Sequence, residues 1–123
     1  MTDLTPAREA AARRLLAAER AGTEARLAAL QRDFDSIVSS SASAAGADDE
    51  HDPEGSSTAF DRQHVAALLG QAADHLAEID RASQRLDDGS YGRCERCGRP
   101  IAAERLAARP AAPTCITCAG RRP

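Results

Sequence analysis

Cys94-Glu-Arg-Cys97 and Cys115-Ile-Thr-Cys118 hold all four cysteines of the chain. Seventeen residues, Gly98 to Thr114, separate the two CxxC pairs. That is the layout of a four-thiolate structural zinc site. A CxxC turn brings two sulfurs to one side of a tight knuckle. Two knuckles supply the corners of a tetrahedron with metal–sulfur distances of ~2.3 Å. Gly98 follows the first knuckle, where positive φ is often needed. Four thiolates leave no open coordination position, so a single ion here is expected to be structural and not catalytic. Two disulfides or a redox-active pair would use the same residues, but neither a secretory leader nor a βαβ pattern accompanies them. A tetrahedral sulfur site also accepts iron.

The rest of the chain must position these thiols. It has 123 residues, with two Phe, one Tyr and no Trp, too little bulk for a large globular core. Most of its apolar content is Ala and Leu. Ala is the best helix former but buries little area, so the composition favours long thin helices paired side by side. Thr5-Pro6 reads as a helix start, with Thr as N-cap and Pro at the first helical position. From there to about Ser39 only Gly22 opposes a helix. Leu27, Leu30, Phe34 and Ile37 step by 3 and 4, the spacing of a coiled-coil seam. Toward the N-terminus Thr23, Arg20 and Leu16 fall in the same register. Residues 39–47 read as fraying helix and loop.

A second helix is expected from about Thr58 to Asp88. Ser56, Ser57 and Thr58 are candidate N-caps, and Thr58 with Asp61 resembles a capping box. Val65, Leu69, Ala72, Leu76, Ile79, Ser83 and Leu86 form an unbroken seam, which Leu68 and His75 broaden. Gly89 fits a C′ position. Each helix would be ~50 Å long at 1.5 Å per residue. The short connection folds them back as an antiparallel hairpin, with self-association through the same stripes as the alternative. Between Pro100 and Arg109 a short helix is expected between the knuckles, stopped by Pro110 and Pro113.

The connection is acidic. Asp48, Asp49, Glu50, Asp52 and Glu54 crowd together with no arginine among them, and Pro53 and Gly55 mark a break in helix there. Such a run is either a solvated loop or a surface presented to a positive or metal-containing target. His51, His64 and His75 lack ligand partners at metal spacing and read as loop or helix-surface residues. Residues 89–123 carry seven Arg against two Glu. Four thiolates around one zinc would leave that segment at about +3.

With these parts in place, the chain resembles the DksA/TraR family of bacterial transcription regulators over roughly residues 25–120. The resemblance is most specific in Asp88-Gly-Ser-Tyr-Gly-Arg-Cys94, Cys97-Gly-Arg-Pro-Ile101, Glu104-Arg-Leu-Ala-Ala-Arg-Pro110 and the second CxxC pair. It implies a coiled-coil hairpin joined to a four-cysteine zinc finger. It also implies a protein that binds RNA polymerase without binding DNA, enters the secondary channel, and acts through acidic tip residues. Carried over to this chain, the zinc ligands are Cys94, Cys97, Cys115 and Cys118. The DksA tip has two aspartates three apart, followed two residues later by alanine. Asp49 and Asp52 have that spacing here, with Glu54 in place of the alanine.

The expected fold is therefore mainly α: a long antiparallel helical hairpin, or coiled coil, with a C-terminal four-cysteine zinc finger. The hairpin covers residues 1–88, with an acidic tip loop near 42–57, and the finger covers 89–123. One structural zinc ion, RNA polymerase as partner and a monomeric state complete the expectation. A GATA-like nucleic-acid-binding finger and a zinc-stabilised protein-interaction adaptor are the alternatives. A GATA-like finger would need a basic tail after Cys118, where only Arg121 and Arg122 follow, and an acidic hairpin opposes DNA. Enzymatic activity is not expected, because a two-helix hairpin offers no pocket and a closed metal site no open position. The N-terminal residues lack a basic and apolar leader pattern, so no signal peptide is visible. No apolar run approaches the roughly 18 residues of a membrane span. With reduced metal-spaced cysteines, this points to the cytoplasm.

Overall fold

The computed structural model describes residues 4–45 and 53–121. Two long helices dominate it. Helix α1 spans Pro6–Ala45 and α2 spans Pro53–Asp88. Two short helices follow, α3 at Ala103–Ala108 and α4 at Ile116–Ala119. One isolated antiparallel bridge joins Arg93 to Pro100. No helix among the described residues is long and apolar enough to cross a membrane.

The α1 start is as the sequence indicates. The Arg8 N–H donates to Thr5 Oγ1 at 3.2 Å, and the Glu9 N–H to Thr5 O at 2.9 Å. These bonds satisfy donors that a helix N-terminus otherwise leaves open. At the other boundaries the helices run further than expected. Helix α1 continues through Ser39–Ala45, because serine costs only a fraction of a kcal/mol in a helix and alanine costs nothing. Helix α2 begins at Pro53, five residues early. Proline is tolerated at a first helical position, where its missing N–H has no intrahelical acceptor. Gly55 weakens the first turn by about 1 kcal/mol without ending it. Ser56, Ser57 and Thr58 therefore lie inside α2 and not at its start. Asp48, Asp49, Glu50 and Asp52, with His51, lie outside the described residues. Glu54 is in the first turn of α2, with its side chain outside the description.

The chain divides into two compact units. The first combines Met1–Gly22 with His75–Pro123. Its core is Ala12, Leu16, Ile79, Ala82, Leu86, Tyr91 and Ala111, with Leu4 and Leu106 packed at its edge. Ile79 is 1% exposed and Ala82 fully buried. Alanines at 12 and 82 let the two helices approach closely. Arg13 pairs with Asp87 at 3.0 Å and with Glu9 at 2.9 Å, and Arg20 pairs with Asp80. Rising numbers on α1 thus meet falling numbers on α2, which makes the pair antiparallel. His75 Nε2 lies 3.0 Å from Glu19 Oε2, so this seam-flanking histidine has a partner that the sequence did not suggest.

The second unit is Thr23–Asp74. Leu27, Leu30, Phe34 and Ile37 on α1, and Val65, Leu68 and Leu69 on α2, are all half-buried; Ala72 is buried. Two helices alone cover each other on one side, so their seam residues keep an open flank. Asp33, Ser36 and Ile37 share a shallow cleft with Asp61, His64 and Val65. Phe60 is 72% exposed.

Candidate metal centre

The finger begins where α2 ends. Gly89 has φ +84°. The Ser90 N–H returns to Arg85 O at 2.9 Å, the closing bond of a Schellman turn. Asp88 Oδ1 accepts from the Ser90 N–H at 3.0 Å and from its hydroxyl at 2.6 Å. Two further positive-φ glycines shape the first knuckle, Gly92 at +90° and Gly98 at +75°. The Cys94 N–H donates to Arg99 O at 2.8 Å, and the Gly98 N–H to Cys94 O at 2.9 Å. The chain thereby folds back on itself around Cys94–Cys97. Gly98 fulfils the role its position suggested.

The second knuckle is the start of α4. Cys115 is its N-cap residue, and the Ala119 N–H donates to Cys115 O at 2.9 Å. The two knuckles are joined through the backbone by the Glu95 N–H donating to Pro113 O at 2.9 Å. Helix α3 occupies the expected interval between the knuckles and ends at Ala108, ahead of Pro110; a turn follows, in which the Ala112 N–H donates to Arg109 O at 3.0 Å.

All four Sγ atoms lie within 4.8 Å of one another. Cys97 Sγ and Cys115 Sγ are 3.8 Å apart. A tetrahedron with ~2.3 Å metal–sulfur bonds has an edge of about 3.8 Å, so the donor set fits such an ion. The thiols are held in unequal settings. For Cys94, burial raises the thiol pKa, but backbone N–H groups, that of Cys115 first and then those of Cys97 and Arg96, outweigh it and bring it down to about 6. The Cys118 N–H lowers the Cys115 thiol. Burial and then the neighbouring thiols push Cys118 up to about 12. Four thiols this close cannot all ionise without a cation among them, which is what a divalent ion supplies. Cys94 is buried and Cys97 exposed, so one edge of the cluster faces solvent.

Several contacts that support the knuckles have no sequence signature. The Tyr91 hydroxyl donates to Pro110 O at 2.7 Å. Arg85 Nη1 donates to Glu95 Oε1 at 2.5 Å, tying the end of α2 to the first knuckle. Arg105 Nε donates to Thr114 O at 2.9 Å, and Arg96 Nη1 reaches Cys118 O and Arg121 O at 3.3 and 2.9 Å. A basic composition was legible, but not which arginines act as props. One expectation is corrected. The finger does not leave the hairpin without a pocket: Leu4, Leu15, Tyr91, Ile101 and Leu106 line an open groove of about 330 Å³. Among the described residues, Arg8 is its one charged lining residue.

The architecture defines the class: a helical hairpin carrying a four-cysteine finger. Residues 89–123 match the model of the prokaryotic dksA/traR C4-type zinc finger. The RNA polymerase-binding transcription factor DksA of Caulobacter vibrioides NA1000 is 54% identical over 37 residues, 30% of this chain and 26% of that protein. DksA of Escherichia coli K12 is 40% identical over 43 residues, 35% of this chain and 28% of that protein. The matches thus span about a quarter of the length of those curated relatives. The structure of transcription factor DksA2 from Pseudomonas aeruginosa is similar with a TM-score of 0.76 at 27% identity, covering 95% of this chain and 84% of that one. Finger sequence and overall fold together support the DksA/TraR family for this chain.

Proposed function

We propose that this chain is a bacterial transcription regulator that acts by binding RNA polymerase, with one structural zinc ion held by Cys94, Cys97, Cys115 and Cys118. The observation that carries this reading is the pairing of two likenesses. Residues 89–123 match the dksA/traR finger, and a 37-residue stretch of the chain shares 54% identity with a relative described as RNA polymerase-binding. The fold follows a transcription factor over 95% of the chain. The zinc has no reacting role: it closes the fold of residues 89–123 and so fixes the base of the hairpin.

In this reading the hairpin enters the polymerase secondary channel. Asp48, Asp49, Glu50, Asp52 and Glu54 then meet arginine or lysine side chains, or a magnesium ion, near the polymerase active site. The protein works in the cytoplasm as a monomer, without enzymatic activity and without direct contact to DNA.

The test is co-purification of the tagged full chain with core RNA polymerase from its own host, beside an Asp49→Ala/Asp52→Ala variant. Both forms are expected to bind, and only the wild type to change transcription in vitro. Failure of the wild type to bind overturns the partner. Binding with identical transcription by the two forms removes these aspartates from the activity.

A further inference from the structure

Arginines anchor the second knuckle at both ends. Arg105 holds the carbonyl of Thr114, just ahead of Cys115. Arg96 holds the other end, and it does so from the opposite knuckle. It stands between Cys94 and Cys97, and its Nη1 donates to Cys118 O at 3.3 Å and to Arg121 O at 2.9 Å. Cys118 lies in the last turn of α4, where its carbonyl also accepts the Arg121 N–H at 3.1 Å. The guanidinium is thus a second donor at that carbonyl, and the one that comes from the opposite knuckle. Arg93 provides a contrast: it donates to Gly98 O at 3.1 Å and stays within its own knuckle.

We propose that Arg96 is a positioning residue of the metal site, a strap that holds the Cys118 knuckle against the Cys94–Cys97 knuckle and slows metal loss. The proposal rests on the reading of the four thiols as a zinc site. An ion leaves such a site stepwise, as one thiolate after another detaches. Cys97 is exposed and is the place where a chelator gains access. With the knuckles strapped together, a detached thiolate stays near the ion and rebinds before the next one lets go. Loss of an outer-shell hydrogen bond at a metal site typically costs about 10–100-fold in affinity.

The experiment uses the zinc-loaded full chain in excess chromogenic chelator and reads the rate of zinc transfer. Cobalt-substituted protein and far-ultraviolet circular dichroism are recorded in parallel. Arg96→Ala is expected to release zinc at least about tenfold faster than wild type. Arg96→Lys keeps the charge but loses the planar fork, and should fall between the two. Arg93→Ala should stay near wild type. In every loaded variant the cobalt–thiolate absorption and the helicity should be unchanged, which separates the strap from a general role in folding. Release from Arg96→Ala within about twofold of wild type overturns the strap. So does an equal acceleration in Arg93→Ala, which would reduce the effect to lost positive charge. If Arg96→Ala misfolds, Arg96→Lys against Arg93→Ala decides the same question. Wild type that takes up neither zinc nor cobalt overturns the zinc reading and the strap with it; normal loading with unchanged release removes the strap alone.

Discussion

Tyr91 is 3% exposed, and its hydroxyl spends its one proton on Pro110 O, 19 residues away. Burial pushes its phenol pKa up, against the pull of the Arg85 charge. Tyr91→Phe keeps the ring and leaves the carbonyl without its donor. A loss of about 1 kcal/mol is expected, read from urea unfolding of the metal-loaded protein. Asp88 contributes through its charge. The Ser90 hydroxyl, then the Ser90 N–H, hold its carboxyl below the ordinary value of 3.8. A depressed folded pKa means stability that is present above the unfolded value and lost as pH falls through the folded one. The difference in thermal midpoint between wild type and Asp88→Asn should therefore shrink on acidification below 3.8; a difference that grows would contradict this. Neither role is visible in the sequence. A thiol pair announces itself by its spacing, but Tyr91–Pro110 is a single long-range contact with no period to detect.

At the scale of the helices, the two units differ in how much they bury. Ile79 is 1% exposed in the first unit, while Leu30 in the second is only half-buried. Ile79→Ala should cost about 2–5 kcal/mol, and Leu30→Ala clearly less, because fewer of its contacts are lost to a cavity. Equal losses in chemical unfolding would mean that the seam energetics are uniform. At the end of α2, nothing lies within 4 Å of a Cβ added to Gly89, so Gly89→Ala meets only backbone strain from φ +84°. About 1 kcal/mol is expected. Hydrophobic spacing made the seams legible from Leu27 to Ile37 and from Val65 to Leu86, because a periodic stripe averages over local exceptions. The boundaries were less legible. The serines of Ser39–Ala45 read as fraying and Pro53 and Gly55 as a break, whereas continuation of the neighbouring helix carries both segments along.

At the scale of the whole molecule, the metal is expected to matter well beyond its four ligands. Tyr91 and Ala111 from the finger belong to the same core as Leu16, Ile79 and Leu86 from the long helices. Stripping zinc with a chelator should melt residues 90–120 and loosen the paired helix ends that share this core, seen as lower helicity and a lower thermal midpoint. A transition that ignores the chelator would argue against that coupling. The four thiols could be named from spacing alone, and the structure brings them together. The acidic residues 48–50, 52 and 54 could be named only as a charge run, since charge without a period or a partner leaves their geometry open.

Tyr91 gives the chain an optical property as well. It is the single tyrosine, and there is no tryptophan. All intrinsic fluorescence beyond the weak emission of two phenylalanines therefore comes from one ring, seated between the finger and the ends of the long helices. Its emission reports on that junction without any label. The zinc-dependent opening of the finger can be followed in one channel, while circular dichroism follows the helices in another. Two signals that move together would mean one cooperative unit, and two that separate would give the order in which the parts let go.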